Sequence, residues 1–304
     1  MSVKTTQLIK KYGEQKAVDN VTFEAEEGEV IGFLGPNGAG KSTTMKMLTC
    51  FIPPTSGSAT VCGYDILKEP LNVRRQIGYL PEHNPLYLDM YVHEYLRFIG
   101  ALHGLKGKSL TQRVKEIVGL CGLTVEQNKK IGALSKGYRQ RTGLAQALIH
   151  DPKVLILDEP TTGLDPNQIV EIRSLIKTIS KNKTVIFSTH IMQEVQALCS
   201  RAIIINKGKI VADDTVDHLK NLQNSASIVY IETDVTVEKE VFMNIPSVQR
   251  VDVLSDTSYR IYNEGEQDIR AELSALSRTH DWHILEMKKE ESSLEEVFHQ
   301  LTQS

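Results

Sequence analysis

Surplus positive charge is the first thing missing from this chain. Its 304 residues carry 35 Lys and Arg against 38 Asp and Glu, a formal net charge of -3. A protein that mainly grips nucleic acid needs a basic excess against the phosphate backbone, so that class is disfavoured. Long apolar runs are missing too. None approaches the roughly 18 residues needed to span a bilayer. The opening Met1–Thr6 has no apolar stretch of the kind that marks a secretory signal. Any role at a membrane is therefore expected to run through a separate chain. Cysteine is scarce: Cys50, Cys62, Cys121 and Cys199 are far apart and form no C-x-x-C pair. They are expected to be reduced, mostly buried thiols of a cytoplasmic protein. What remains is ordinary globular composition, 40% hydrophobic and 24% charged, which excludes a disordered or fibrous chain.

At roughly 100–200 residues per domain the length predicts two domains. Up to about residue 220, short apolar runs alternate with helical patterns. Val30–Leu34, Val154–Leu157 and Thr184–Phe187 read as strands apolar on both faces. Helices are expected over Lys41–Cys50, Pro166–Lys181 and Met192–Cys199. Such alternation predicts parallel strands covered on both sides. Asp19–Ala25 alternates apolar and polar residues, as an antiparallel edge sheet would. Tyr87–Ala147 offers no convincing strand but three helices, near Val92–His103, Ser109–Leu120 and Gly137–His150, and so reads as a helical insertion. Ala202–Ala212 reads as a hairpin turning at Asn206–Gly208. A second pattern follows a linker near Gln223–Ser227. Strands at Ile228–Thr233, Val248–Leu254, Ser258–Tyr262 and His283–Met287 alternate with helices at Val237–Asn244 and Ile269–Ser277, before a closing helix at Ser293–Leu301. The order β-α-β-β-α-β predicts a small ferredoxin-like unit. Domains are thus expected at 1–222 and 225–304, with the helical insertion at about 87–147.

Chemistry enters at Gly35-Pro36-Asn37-Gly38-Ala39-Gly40-Lys41-Ser42, which fits the phosphate-loop pattern G-x-x-x-x-G-K-[ST]. Glycines let backbone N–H groups curl around phosphate oxygens, and the helix that follows presents its positive end. Lys41 can reach the β- and γ-phosphates, and the Ser42 hydroxyl can ligate Mg²⁺. Thr43, next in the helix, belongs to the same expected cradle. Asp158 closes the strand Val154–Leu157, at the ligand edge of a parallel sheet. It can hold Mg²⁺ through the metal's water shell, and Glu159 beside it can orient and deprotonate an attacking water.

With these residues in view, the sequence resembles the ATP-binding subunits of ABC transporters over about residues 3–220. Leu134-Ser135-Lys136-Gly137-Tyr138 resembles the signature loop, Gly163-Leu164-Asp165 the D-loop, and Ser188-Thr189-His190 the switch-histidine loop. The resemblance implies an α/β fold: a P-loop NTPase core with an antiparallel β subdomain and a helical insertion, plus the ferredoxin-like α+β domain. It implies that Tyr12 stacks on adenine and that His190 senses the γ-phosphate. Ser135 and Gly137 of one subunit would contact the nucleotide bound by the other. Two departures stand out. Lys136 replaces a glycine and either adds charge near phosphate or is simply solvated. Glu82 occupies the position of the Q-loop glutamine and either reaches Mg²⁺ or faces solvent. Gly78–Leu88, with Lys136 and Tyr138, looks like the branch associated with gliding motility. Ser293–Phe298 resembles the closing helix of exporter ATPases whose membrane subunits are separate chains.

The expected protein is an Mg²⁺-dependent ATPase on the cytoplasmic face of the inner membrane. It would power a multispanning permease in a separate chain, an exporter linked to gliding motility. One P-loop per chain requires a homodimer or a dimer with a paralogue. The insertion is the expected docking surface, and nucleic acid is not an expected partner. The alternative is a soluble ABC ATPase acting on nucleic acid or ribosomes. That class usually shows two P-loops, a long coiled coil or a basic patch, none of which is visible. A regulatory module that binds without hydrolysing is a further alternative, and Glu159 in the base position argues against it.

Overall fold

The computed structural model describes residues 1–221, 226–264, 268–290 and 298. The chain divides into two compact units, Met1–Val216 and Asp217–Ser304.

The first unit opens with strands β1 (Val3–Tyr12) and β2 (Gln15–Ala25), then β3 (Val30–Leu34) and helix α1 (Lys41–Leu48). Next come β4 (Ser56–Val61), β5 (Tyr64–Asp65), α2 (Pro70–Gln76) and β6 (Ile77–Leu80). The insertion holds α3 (Val92–Leu102), α4 (Gly107–Leu120) and α5 (Lys136–Leu148). The unit ends with β7 (Val154–Asp158), α6 (Pro166–Ile179), β8 (Thr184–Thr189), α7 (Met192–Leu198), β9 (Arg201–Asn206) and β10 (Lys209–Thr215).

The strands read from apolar runs form the centre of a six-stranded sheet, β10-β9-β3-β8-β7-β6. All neighbours pair in parallel except the β9–β10 hairpin. Ile31, Phe33 and Leu34 of β3 have no exposed surface, and neither have Val154–Leu157 of β7. This is why their sequence shows no alternation: both faces are covered. Close approach of α5 to β6 depends on Gly78, where an added Cβ would lie 2.1 Å from the Ala147 carbonyl oxygen.

The antiparallel sheet has the order β2-β1-β4-β5. It packs on the central sheet through one continuous core that includes Phe23, Phe33, Met45 and Leu48. Strands β1, β4 and β5 and helix α2 go beyond the sequence reading. Their surfaces are half polar: β1 runs Val-Lys-Thr-Thr-Gln-Leu-Ile-Lys-Lys-Tyr, and only Val3, Thr5 and Leu8 are buried in it. All four cysteines are free. Cys121 and Cys199 are buried as expected, but Cys50 and Cys62 are only half-buried, because both lie at turns just past an element's end, with positive φ of 56° and 50°.

A short helix, α8 (Val216–Asn221), lies at the division, and the second unit contains β11 (Ala226–Thr233), α9 (Lys239–Met243), β12 (Val248–Val253), β13 (Ser258–Glu264), α10 (Arg270–Thr279) and β14 (Ile284–Glu290). Its sheet order, β12-β13-β11-β14, with every pair antiparallel, is the ferredoxin-like arrangement. Its own core gathers Val229, Ile231, Phe242, Tyr259, Ile261 and Leu273. The expected helix over Val237–Asn244 is shorter, Lys239–Met243. The closing helix over Ser293–Leu301 lies outside the described residues but for Phe298. Among the described residues no helix is long and apolar enough to cross a membrane.

Candidate nucleotide site

The phosphate loop joins the buried strand β3 to α1, so the eight-residue helix aims its N-terminus at the end of the parallel sheet. Gly40 carries φ +109°, and an added Cβ there would meet the Ala17 carbonyl oxygen at 2.5 Å. Only glycine permits this backbone and this approach. Ala39 N–H donates to Pro36 O at 3.1 Å and Gly208 N–H to Ala39 O at 2.9 Å, which pins the loop to the β9–β10 turn. Lys41 folds back under the loop. Its ammonium donates to Gly35 O at 2.7 Å and to Pro36 O at 3.3 Å, and the residue is buried.

Asp158 stands at the end of β7, almost fully buried. It accepts from the Ser188 hydroxyl at 2.9 Å and from the Ser42 hydroxyl at 3.1 Å. Burial pushes its carboxyl above the usual range, the two hydroxyls pull it back, and the charges of Glu159 and Glu82 add to the rise. Glu159 follows with φ +50°, a left-handed backbone for a non-glycine residue. That turn carries the side chain from the strand into the cleft. His190 Nδ1 lies 2.9 Å from Glu159 Oε2, and the Thr162 hydroxyl donates to the same oxygen at 3.3 Å. Glu159 Oε1 is buried, makes no hydrogen bond and lies 3.4 Å from the Lys41 ammonium.

Lys41, Ser42, Glu159 and His190 converge on a cleft of about 320 Å³, with Asp158 behind the Ser42 hydroxyl. Asn37, Gly38, Gly40, Lys41, Ser42, Thr43, Glu82, Glu159 and His190 all line it. Gly35, Pro36 and Ala39 supply the loop backbone behind them. Tyr12 is not part of the lining. It ends β1, 53% exposed, with the Lys10 ammonium 5.3 Å over its ring. Ser135 and Gly137 do not line the cleft either. Ser135 caps α5 by accepting from Tyr138 N–H at 3.4 Å, and Gly137 packs on the Gln168 side chain of α6. Glu82 is exposed at the mouth, and it also borders a larger cavity of about 570 Å³ beside Tyr79 and Asp158.

Several contacts lie beyond the sequence reading. Thr162 and Ala17 line the cleft. The Gln140 side chain donates to Pro160 O at 2.7 Å, tying α5 to the turn after Glu159. Gln140 lies three residues after Gly137, hence on the same helical face, which is the signal that could have found it. The Lys136 ammonium lies against the D-loop glycine: a Cβ added to Gly163 would be 2.0 Å from Nζ.

The donor chemistry fits nucleotide and Mg²⁺. Ser42 and Asp158 offer oxygen ligands only, next to a loop of backbone amides. Mg²⁺ takes a few such ligands and completes its shell with water and phosphate oxygens rather than a protein cage. Among the described residues no group of three or more His, Cys, Asp or Glu forms such a cage. Glu159 Oε1 makes no hydrogen bond and is ion-paired to Lys41 at 3.4 Å, so it retains a lone pair to accept from a water, which is what a base for an attacking water must do.

A family profile described as ABC transporter matches residues 18–162. The bacitracin transport ATP-binding protein of Bacillus licheniformis is 36% identical over 302 residues, covering 97% of this chain and 95% of its own length. The Nod factor export ATP-binding protein of Ralstonia nicotianae is 32% identical over 296 residues, covering 97% of this chain and 92% of its own. Among solved structures, a dimeric ATP-binding cassette in a post-hydrolysis state, bound to ADP and Pi, superposes with a TM-score of 0.65 at 27% identity. It covers 70% of this chain and 98% of that one.

Proposed function

The chain belongs to the ABC transporter ATP-binding family, and from that premise we propose how its residues divide the work of ATP hydrolysis and what the hydrolysis drives. As a member it binds and hydrolyses ATP. The observation that carries the division is the geometry of one cleft: Lys41, Ser42, Glu159 and His190 line it and Asp158 is hydrogen-bonded to Ser42 at its edge, while Ser135 and Gly137 do not line it.

The amides of Asn37–Ser42 and the Lys41 ammonium bind the β- and γ-phosphates. Ser42 and Asp158 hold Mg²⁺, which when bound neutralises charge that builds on the phosphates. Glu159 Oε1 takes the proton of the attacking water. His190 and Thr162 keep the other oxygen occupied, so one lone-pair direction of the carboxylate faces the reaction. Tyr12, exposed at the end of β1, serves as the adenine platform. Ser135 and Gly137 complete the site of a second subunit, either another copy or a paralogue, so two chains sandwich two nucleotides.

The closing of that dimer drives a permease in a separate chain, at the cytoplasmic face of the inner membrane. The larger cavity between the sheet and the insertion, bordered by Phe51, Tyr79, Ile99 and Leu102, suits an inserted segment of such a partner. The relatives' names support an exporter. A link to gliding motility rests on Gly78–Leu88, Lys136 and Tyr138 alone, and the relatives add nothing to it. The ferredoxin-like unit serves self-association or regulation. Fractionation of native membranes tests the assignment: the chain should co-purify with a multispanning protein. Recovery with ribosomes or nucleic acid instead would reject it.

Glu82 gives a second test. A carboxylate brings full charge toward Mg²⁺, whereas an amide brings a dipole. Apparent Mg²⁺ affinity in the ATPase assay should fall from wild type to Glu82→Gln to Glu82→Ala. The first step should be no more than about fivefold, in line with an exposed ion pair of up to about 1 kcal/mol. Three superimposable titrations would mean that Glu82 only faces solvent.

A further inference from the structure

Behind the nucleotide cleft, one carboxylate joins the two segments that carry Glu159 and His190. Glu194 lies in α7 with no exposed surface. An acidic side chain is almost never fully buried unless it is paired. Both of its oxygens are taken. Oε2 accepts the Thr189 hydroxyl at 2.6 Å, and Oε1 accepts the Thr161 hydroxyl. Arg173 of α6 sets its guanidinium 3.8 Å from Oε1 and supplies the opposite charge. The Thr189 oxygen itself accepts from Ile191 N–H at 3.0 Å, so it shapes the turn after His190 while its proton goes to Glu194.

The spacing in sequence gives this cluster its meaning. Thr161 stands two residues after Glu159, and Thr189 one residue before His190. The same two segments meet again at the cleft. Glu159 N–H donates to Ser188 O at 3.0 Å, and His190 Nδ1 lies 2.9 Å from Glu159 Oε2. Glu159 also holds the uncommon φ of +50°, a conformation that persists only where its surroundings over-determine it. Glu194 does not line the cleft, and no residue of the phosphate loop touches it in the contacts above.

We propose that Glu194 is a positioning residue. It clamps the Thr161 and Thr189 hydroxyls to one buried carboxylate and so fixes the separation of Glu159 and His190 during hydrolysis. This rests on Glu159 being the base. A buried carboxylate that only stabilised the fold would need the same two hydroxyls, since Arg173 at 3.8 Å makes no hydrogen bond to it. What separates positioning from bulk stability is the kinetic readout, a loss of kcat at unchanged KM that disappears once Glu159 is disabled.

The test uses the purified full chain with Thr161→Val and Thr189→Val, each nearly isosteric, and Thr161→Ser and Thr189→Ser, which keep the hydroxyl. Each valine variant should lose kcat about tenfold, a part of the ~10²–10⁴-fold that a general base supplies. KM for ATP should stay within about twofold, because the phosphate cradle is untouched. The serine variants should turn over like wild type. In a Glu159→Gln background the valine changes should cost nothing further, since the group they position is already disabled. Glu194→Gln, which keeps one acceptor, gives a second route should a valine variant fail to fold, with an intermediate loss of kcat masked in the same background. Valine variants at wild-type kcat, equal losses in the serine variants, or a full further loss in the Glu159→Gln background would each overturn the proposal. Wild-type turnover by Glu159→Gln alone would instead reject the base, and the clamp with it.

Discussion

Glu159→Gln should bind ATP with near wild-type affinity and turn it over ~10²–10⁴-fold more slowly, the range typical for loss of a general base. The change is nearly isosteric. If the amide keeps its carbonyl oxygen toward His190 and Thr162, the contacts at 2.9 and 3.3 Å survive. The amide nitrogen then replaces Oε1, the buried oxygen that makes no hydrogen bond. A donor stands where an acceptor is needed, so the water keeps its proton. Lys41 loses its ion pair with Glu159 but keeps the Gly35 and Pro36 carbonyls, and Asp158 is untouched, so nucleotide binding persists. The variant should therefore accumulate as an ATP-bound dimer, visible as a size shift on chromatography alongside the slow steady-state rate. Near-normal turnover would take Glu159 out of the mechanism.

Lys41→Ala should fail earlier, at nucleotide binding. Its ammonium holds three groups at once: the Gly35 and Pro36 carbonyls and the Glu159 carboxylate. Bound ATP would add an ammonium–phosphate pair, and truncating one partner of such a desolvated charge pair across a binding interface typically costs about 2–5 kcal/mol. At 1.4 kcal/mol per decade that is about 30- to several-thousand-fold in ATP affinity. Ser135→Arg should leave its own phosphate loop intact but block the site it completes on a partner. Each variant alone should be inactive and should not dimerise with ATP. A mixture contains one complete site, formed by the loop of the Ser135→Arg subunit and the signature residues of the Lys41→Ala subunit. ATPase activity should therefore rise on mixing and peak near equal amounts. Dimerisation of either pure variant at wild-type affinity would count against a shared site.

The strands of the central sheet were legible because burial on both faces leaves an unmistakable mark. Val30–Leu34, Val154–Leu157 and Thr184–Phe187 have no room for a polar residue at their centres. The phosphate loop was legible for a similar reason: its glycines and lysine answer to backbone geometry and charge within eight residues. Strand β1 was not. Lys4, Thr6, Gln7 and Lys11 face solvent, and what makes it a strand is pairing with β2 and with β4, some 50 residues away. The Glu194 cluster escaped for the same cause. Nothing near Glu194 in sequence marks it, since its partners Thr161 and Arg173 lie 33 and 21 residues upstream. Gln140 shares a helical face with Gly137 in the sequence, but its bond to the Pro160 carbonyl forms only once α5 has docked.

The place of β3 has a consequence for how the protein is made. This strand carries the phosphate loop, yet both of its neighbours, β8 and β9, come from residues 184–206. At about 5–20 residues per second, a ribosome needs roughly 10–30 s between completing β3 and completing β9. Throughout that interval Val30–Leu34 is an apolar strand with no partner on either edge, the kind of segment that aggregates or recruits a chaperone. Nascent chains arrested short of β8 should therefore not acquire ATP affinity, although every residue of the loop has already been synthesised. Competence for nucleotide arrives in one late step, when β8 and β9 close around β3.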